Sequence, residues 1–420
     1  MSRRSIVSFL GPGIIFAATS IGVSHVVQST RAGADFGYAL IALVLLAHLV
    51  KLPFFQIGPR YAAATGTSLL DAYRQIGKPV YYFCMLFTLS TMFIVQAAVT
   101  IVAAGLLAFI LPFELHIVAS AAIILVSVLV ILLGGGYRLL DNVLKLMMLL
   151  FAVMCLVTFI AIFFVDIPEM TPPKVDYLSA SSIAFMVALV GWMPTTVEVS
   201  IWHSLWVVEQ RKKDALELTT LEQQKQFTQN KLLDFNVSYV FCFLFALVFL
   251  ILGAKVMHGS GLSLSDSAVG FSSQLVGIFS EALGQWSIPV VSIIIFIAMY
   301  STVLAVADGF GQVITRFSEH ELNLPKEKHN LCYRSVLPVI AIGGALVIVF
   351  FGGHLKSLID FATTISFVAA PVFAYLNIRA MQLPNVPQPL RLSQGQSLYA
   401  WVCLLALAGF SLFFLIWRFG

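Results

Sequence analysis

The sequence predicts an all-α polytopic membrane protein with eleven transmembrane helices, arranged as two inverted repeats of five helices and one accessory helix. Three observations predict this class. Hydrophobic residues make up 60% of the 420 residues and charged residues only 10%, whereas soluble domains carry about 25% charge. Eleven apolar stretches have spanning length. Two of these stretches are interrupted near their middle.

Each apolar stretch is close to or longer than the ~20 residues that a helix needs to cross a bilayer. The predicted spans cover residues 6–28, 37–58, 80–111, 116–134, 143–165, 180–207, 232–254, 284–314, 334–352, 357–379 and 398–417. The third and the eighth are the longest, which indicates tilted helices or extensions beyond the membrane. The polar loop 208–231 is expected to form a solvated helix that continues the sixth span.

The first and the sixth spans contain residues that disrupt a membrane helix. Residues 20–25 place a glycine, two serines and a histidine at the centre of the first span, and Pro194 lies at the centre of the sixth. Proline removes one helical hydrogen bond, and a backbone group freed inside a bilayer needs another partner. Two interrupted spans at matching positions of two halves are typical of a transporter binding site, so we expect both helices to break there.

The spans divide into two halves that each begin with an interrupted helix. Five helices per half is an odd number, so the second half lies upside down relative to the first. We predict a first repeat at residues 1–165, a second repeat at 180–382 and an accessory eleventh helix at 398–417.

Lysine and arginine residues predict the orientation. Most of them fall in loops on one side, whereas the other side carries only Arg31, Lys174, Lys255, Lys356 and Arg418. Because short cytoplasmic loops are enriched in Lys and Arg, we expect an integral protein of the cell membrane with a cytoplasmic N-terminus and an outer C-terminus. Lys51 and Lys145 lie within spans and take no part in this prediction.

Several function classes are disfavoured. No glycine-rich phosphate loop is present, so neither an enzyme nor a built-in ATPase is expected. The five cysteines show no metal-binding or redox spacing. We expect no cofactor and no nucleic-acid partner. The expected partners are the lipid bilayer and a small ion or solute, and the sequence leaves the oligomeric state open.

Several motifs frame the first, second, sixth and eighth spans. They are Gly11-Pro12-Gly13, residues 36–40, residues 56–61 and 64–66, Met193-Pro194 and Ser301-Thr302-Val303. Together they resemble the Nramp family of divalent-metal transporters over most of the chain. The resemblance implies the amino-acid-transporter-like fold with broken helices 1 and 6, and a transported divalent cation of the Mn or Fe class.

The resemblance weakens at the site itself. The family has Asp-Pro-Gly-Asn in the first break, where this chain has Gly22 in place of the metal-ligand Asp and His25 in place of the ligand Asn. Met193 is kept in the sixth span, but Thr195 stands where the family has His. The acidic pair that the family carries in the third span is missing from residues 96–100.

The candidate site residues follow from the breaks and from membrane-embedded ionisable groups. Substrate-binding candidates are Gly22, Ser24, His25, Gly191, Met193, Thr195 and Thr196; proton-coupling candidates are His25, Glu198 and Asp308; and candidate metal ligands are His25 and Met193. Imidazole and thioether groups bind transition metals. A histidine that holds the break open and a methionine that fills space are the structural alternatives.

Three functions remain open on the sequence. The first is an Nramp-related secondary transporter of a metal cation, with proton coupling unsettled. The second is a transporter of another small solute, an amino acid or organic ion, on the same scaffold, which the missing Asp and His favour. The third is a receptor or structural membrane protein that does not transport.

Overall fold

A computed structural model describes residues 11–164, 174–214, 216, 218–260, 264–351 and 354–419. For residues 135–143, 282 and 326 the description is limited to the backbone. The helices are α1 Pro12–Ser20, α2 Thr30–Phe36, α3 Ile41–Thr65, α4 Leu69–Ile76, α5 Lys78–Ile110, α6 Ile117–Ala161, α7 Ala180–Trp192, α8 Val199–Lys213, α9 Leu221–Val256, α10 Ala268–Leu283, α11 Ile288–Glu321, α12 His329–Phe351, α13 Leu355–Ala380 and α14 Gln394–Phe419. In this part of the chain, the only β-type pairing is an isolated bridge between Ser267 and His354.

The helices have the length and composition of membrane spans. Among the described residues, nine stretches are long and apolar enough to cross a bilayer, and α5, α9 and α11 are the longest of the helices that hold one such stretch each. Two of the nine, Ile117–Gly134 and Leu144–Phe164, lie in the one helical run of α6. The all-α membrane architecture is therefore confirmed, whereas eleven separate spanning helices stay a prediction.

Both predicted breaks are present. α1 ends at Ser20, and after Ile21 and Gly22 the chain continues as a π-helical turn, Val23–Ser29, into α2. α7 ends at Trp192, and α8 begins only at Val199. The opening residues 6–10 of the predicted first span lie outside the described part of the chain. We call the two interrupted elements the first broken helix (α1 to α2) and the second broken helix (α7 to α8).

α9 runs alongside the first broken helix and fixes its two ends. The Asp234 carboxylate accepts hydrogen bonds from the backbone N–H of Gly13 at 3.0 Å and of Gly11 at 3.3 Å. These are among the N–H groups at a helix start that have no partner within the helix, and a carboxylate there also interacts favourably with the helix dipole. At the other end, α2 packs on the last turns of α9.

Two connecting helices differ from the sequence-based expectation. Only residues 208–213 of the polar loop continue the sixth span: α8 ends at Lys213, and a Thr220 capping box starts α9 eleven residues before the predicted seventh span. A capping box satisfies two backbone N–H groups, which is enough to start a helix ahead of its apolar part. The short helices α4 and α10 were not predicted.

Candidate functional site

The first break is organised around Gly22. The Gly22 carbonyl accepts hydrogen bonds from the backbone N–H groups of His25 at 3.2 Å and Val26 at 2.8 Å, which winds the next turn. A Cβ atom at this position would lie 2.5 Å from Oγ1 of Thr302 on α11. That hydroxyl donates to the Ala18 carbonyl at 2.8 Å, one of the α1 carbonyls left without a helical partner. Thr302 therefore fills the space that a side chain at position 22 would need.

Three hydroxyl groups at the first break bond to carbonyls of the preceding turn of the same helix. Thr19 donates to the Ile15 carbonyl at 2.8 Å, Ser20 to the Phe16 carbonyl at 2.8 Å, and Ser24 to the Ser20 carbonyl at 2.7 Å. Such bonds to the preceding turn are common for Ser and Thr and often bend helices.

The second break is satisfied by a side chain from another helix. Lys51 of α3 is fully buried, and its Nζ donates to the carbonyls of Val190 at 2.6 Å, Gly191 at 2.8 Å and Thr195 at 3.1 Å. These three contacts match the three donors of an ammonium group. The carbonyl of Gly191, which the sequence predicts to bind substrate, is bonded to Lys51.

The two breaks face each other. The Ser24 hydroxyl lies 2.7 Å from the Ser20 carbonyl and 3.0 Å from the Pro194 carbonyl, so its single proton can bond to either break. Between them is a chamber of about 20 Å³, which is room for one water-sized body. Its lining is uncharged and consists of Thr19, Val23, Ser24, Val95, Val99, Trp192, Thr195, Thr196, Val199, Trp202, Thr302 and Val306.

Three of the predicted substrate-binding residues are brought together at this chamber. Ser24, Thr195 and Thr196 all line it, and the Thr196 hydroxyl has no hydrogen-bond partner among the described residues. Gly22 lies directly beside Thr302, which is also part of the lining. The hydroxyl side of the predicted site is therefore assembled in one place.

His25 and Met193 lie outside the chamber lining. His25 is fully buried; its Nδ1 is 2.8 Å from the Ser24 hydroxyl, and its ring centroid is 6.4 Å from that of His48. Its Nε2 has no hydrogen-bond partner in the described part of the structure. Met193 is buried in an apolar cluster with Val190 and Phe367. The His25 imidazole contacts Ser24, which lines the chamber, whereas the Met193 thioether packs against apolar side chains.

The two acidic candidates occupy different places. Glu198, just before α8, is buried, and its Oε1 has no partner among the described residues. Asp308 of α11 accepts hydrogen bonds from Trp206 Nε1 at 2.8 Å and from the Tyr333 hydroxyl at 2.5 Å. It lines a separate cavity of about 280 Å³ rather than the chamber. Only Glu198 is close to the breaks in sequence and in space.

A larger cavity lies beyond α8. It has a volume of about 560 Å³ and is lined by Gly66, Thr67, Ser68, Asp71, Leu205, Val208, Glu209, Lys212, Gln312, Arg316, Glu319, His329 and Asn330. We call it the vestibule. Burial favours protonated Asp71, but bonds from His320 and Ser68 and the charge of Arg316 outweigh it and hold the pKa of this carboxyl well below its usual 3.8.

The opposite end of the first broken helix is closed by an ion pair. Arg31 of α2 donates to both carboxylate oxygens of Asp360 on α13, at 2.7 and 3.2 Å. Gln28 contacts both partners, at 2.9 and 3.2 Å. A two-point guanidinium–carboxylate contact fixes geometry as well as charge. We call this group the Arg31 gate.

Two residues near the breaks escaped the interpretation of the sequence. Lys51 was set aside as a cation within a span, although an ionisable group in a membrane helix is a functional candidate by default. Trp202 fits the pattern of an aromatic belt at the membrane interface, but it is 3% exposed and lines the chamber. Trp206 and His203, for which the sequence predicts the same interfacial position, are buried as well, so the prediction of an aromatic belt here is wrong.

The donor set of the described residues contains no group of three or more His, Cys, Asp or Glu side chains placed to hold a metal ion. What the chamber offers is oxygen: hydroxyl groups and the backbone of two unwound segments. Such ligands are those that Mg, Ca and Mn accept, whereas Fe, Zn and Cu favour imidazole or sulfur.

Comparisons with known proteins agree with this geometry. Residues 13–417 match the family model described as natural resistance-associated macrophage protein-like (Nramp). An uncharacterised protein of Pasteurella multocida is 34% identical over 376 residues, covering 88% of this chain and 84% of that one. The divalent metal cation transporter MntH of Lacticaseibacillus casei is 23% identical over 389 residues, covering 88% and 80%.

A solved structure has the same fold. A mutant of the Eremococcus coleocola manganese transporter superposes with a TM-score of 0.74 at 16% identity, covering 99% of this chain and 88% of that one. With the family model matched across nearly the whole sequence and both helices broken where the resemblance requires, the chain belongs to the Nramp family.

Proposed function

We propose that this protein is a secondary transporter that carries a metal cation across the membrane by alternating access, with the cation bound between the two broken helices. The observation that carries the proposal is the chamber itself. Two unwound segments meet at the Ser24–Pro194 contact and enclose a space the size of a single ion or water molecule. Unwound backbone at mid-membrane is tolerated only where protein or a cavity covers it.

The similar proteins support the class of substrate. The relatives named MntH are divalent metal cation transporters, and the structural neighbour is a manganese transporter. Within the Mn or Fe class, the oxygen lining of this chamber favours Mn, because Met193 and His25 do not present sulfur or imidazole to it. Ser24, Thr195 and Thr196 would supply hydroxyl ligands.

The charge of a divalent ion needs compensation that the lining does not supply. Burying an ion without a counter-charge is costly. Glu198 is the acid nearest in the chain to the chamber, and its unpartnered carboxylate oxygen supports a role as counter-charge or proton carrier. His25, bonded to Ser24, is the second candidate for coupling, whereas Asp308 would act along the exit through the second cavity.

The Arg31 gate and the vestibule suggest which side of the membrane this conformation faces. The Arg31 gate closes one end, and the vestibule opens at the other. With the N-terminus in the cytoplasm of a cell membrane, this conformation faces inward. Residues 1–165 and 180–382 would rock against each other around the chamber, with the helix at 398–417 as an accessory element.

One observation favours the second candidate, transport of another small solute. The Lys51 ammonium group bonds to the Thr195 carbonyl, and Thr195 also lines the chamber. A fixed positive charge beside the site opposes a divalent cation and would attract the carboxylate of an amino acid or organic anion.

Uptake into reconstituted vesicles tests the proposal. We expect saturable Mn²⁺ uptake by the wild-type protein. Ser24→Ala should raise KM about tenfold, the effect of losing roughly 1.4 kcal/mol of binding. Ser411→Ala is a matched control, since among the described residues this buried hydroxyl on α14 bonds to the Phe367 carbonyl alone, at 3.3 Å.

Two outcomes would decide between the candidate functions, and a third would test the role of the chamber. Uptake of amino acids without uptake of Mn²⁺ would establish the second candidate. No uptake of either would favour a protein that does not transport. An unchanged KM in Ser24→Ala would remove the chamber from the substrate route.

A further inference from the structure

A buried lysine holds the second break open. Lys51 Nζ is within 3.1 Å of three backbone carbonyls, and the side chain has no exposed surface. The three oxygens come from two levels of the second broken helix: Val190 and Gly191 end α7, and Thr195 lies in the unwound segment. The ammonium group therefore spans the gap between the end of α7 and the chain beyond Pro194.

These oxygens are suited to a cation for a reason that does not depend on Lys51. The last four carbonyls of a helix have no intrahelical partner, and they carry the negative end of the helix dipole. Val190 and Gly191 are two of the last four residues of α7, and the Val190 oxygen accepts, besides Lys51, only a long 3.4 Å bond from the Met193 N–H among the described residues. A third carbonyl from Thr195 completes a half-cage of hard oxygen ligands, the kind that alkali and ammonium ions accept.

No carboxylate takes part in this contact. Glu198 is the acid that interacts electrostatically with Lys51, but no ion pair within 4 Å joins them in the part of the chain that the structure describes. The cation is held by carbonyl dipoles, which is how a protein binds a monovalent ion. A divalent ion would more typically recruit a carboxylate.

We infer that the carbonyl oxygens of Val190, Gly191 and Thr195 form a monovalent-cation site, and that Lys51 occupies it with its own ammonium group as a tethered ion. The inference extends the proposed function by one consequence: the transporter needs no dissolved alkali ion to hold its second break in the binding conformation. A free Na⁺ or K⁺ ion should enter the site only when Lys51 is shortened.

Ion-dependent stability of Lys51→Ala tests the tethered ion. The full-length protein in detergent is heated in choline, sodium, potassium or ammonium chloride at equal ionic strength. The wild-type melting temperature should be the same in all four salts. Lys51→Ala should melt lower in choline, and one of the small cations should restore most of the loss with a saturable dependence on concentration.

Lys255→Ala is the matched control. Lys255 also donates to a backbone carbonyl, that of Ile162 at 2.8 Å, which is its one such contact among the described residues and lies outside the breaks. Its replacement should show no selective rescue. Equal melting of Lys51→Ala in all four salts, or equal rescue of Lys255→Ala, would overturn the inference.

A neutral variant keeps the test decisive if Lys51→Ala does not fold. Lys51→Gln retains two N–H donors without the charge. A tethered ion predicts that Lys51→Gln is less stable than the wild type, whereas a lysine that acts only as a hydrogen-bond donor predicts nearly unchanged stability. The melting readout needs no transport, so an Mn²⁺ uptake failure in the wild type would refute the proposed function while leaving this inference standing.

Discussion

The first break is bonded partly by its own hydroxyl groups and partly by Thr302 of α11, whereas the second relies on side chains from α3 and α13. Around Gly22, the hydroxyls of Thr19, Ser20 and Ser24 bond to the preceding turn of the same helix. Around Pro194, three carbonyls are satisfied by Lys51 of α3, and Trp192 donates to Ser366 of α13 at 3.1 Å. The second break is therefore tied to α3 and α13, whereas the first is tied to α11 at the break and to α9 at its start.

The largest effect should come from adding a methyl group at the first break. In Gly22→Ala the Cβ would lie within 3 Å of three Thr302 atoms, and Thr302 is held in place by its bond to the Ala18 carbonyl. Overpacking of this kind costs about 1–3 kcal/mol. Thermal unfolding in detergent measures the loss, and adding Thr302→Ala should recover part of it.

Gly409→Ala is the control for that substitution. Nothing lies within 4 Å of a Cβ at Gly409 on α14, so this variant should match the wild type or exceed it slightly. Equal stability of the two variants would show that Thr302 does not restrict position 22. A larger side chain there, such as the Asp implied by the family resemblance, would then also fit.

The anchor of the first broken helix should rank next. Asp234→Ala removes the acceptor for the Gly11 and Gly13 N–H groups and should cost about 1–2 kcal/mol, the range for a lost helix cap. Asp234→Asn, which keeps one acceptor oxygen, should fall between this variant and the wild type. Identical melting of all three proteins would mean that α9 does not hold the start of α1.

The inner end of the second broken helix should respond to pH through Asp71. The Leu69 N–H of α4 bonds to Ser204 of α8 at 2.9 Å, and Asp71 caps α4. Because its folded-state pKa is depressed below 3.8, the stability that Asp71 contributes is present above that pH and is lost as the pH falls through the folded pKa.

Asp71→Asn tests that pH dependence. It should lower the melting temperature by a similar amount from pH 5 to pH 8, with the difference from the wild type shrinking only below pH 3.8. A difference that disappears already near neutral pH would contradict the assigned contacts with His320 and Arg316.

The smallest effect on stability should come from the Arg31 gate. Arg31 is 9% exposed but the Asp360 side chain is 37% exposed and can regain water, so Arg31→Gln, which keeps an N–H donor, should cost about 1 kcal/mol. Arg31→Gln should have a larger effect on how fast an external reagent reaches the chamber. In a Ser24→Cys, Cys332→Ser background, an impermeant thiol reagent applied from the Arg31 side should react faster once Arg31 is replaced. Unchanged labelling would show that the pair does not gate the chamber.

The sequence predicted the breaks well because glycine, serine and proline disrupt a helix wherever it lies. Their position at the centre of apolar stretches was enough to locate residues 20–25 and Pro194. The orientation of side chains around each break was not predictable. His25 and Met193 sit in the right segments, but the π-helical turn after Gly22 and the unwound chain after Trp192 turn them away from the chamber.

Long-range partners were the second limit. Lys51 and Thr195 are 144 positions apart, and nothing local in either segment shows that an ammonium group fills the gap in another helix. The charged Lys51 within a span was visible in the sequence, but its partners are backbone carbonyls. Every residue has such a carbonyl, so the sequence does not show which ones accept the bonds. For the same reason Trp202 fitted an interfacial belt, although α8 turns it inward.

The most direct measurement is the anomalous scattering of manganese in the protein soaked with Mn²⁺. The account predicts one peak between the two broken helices, within ligand distance of Ser24 and of Thr195 or Thr196, and a weaker peak in Ser24→Ala. Saturable Mn²⁺ uptake by a protein that shows no peak in this chamber, or a peak elsewhere that Ser24→Ala leaves unchanged, would contradict it.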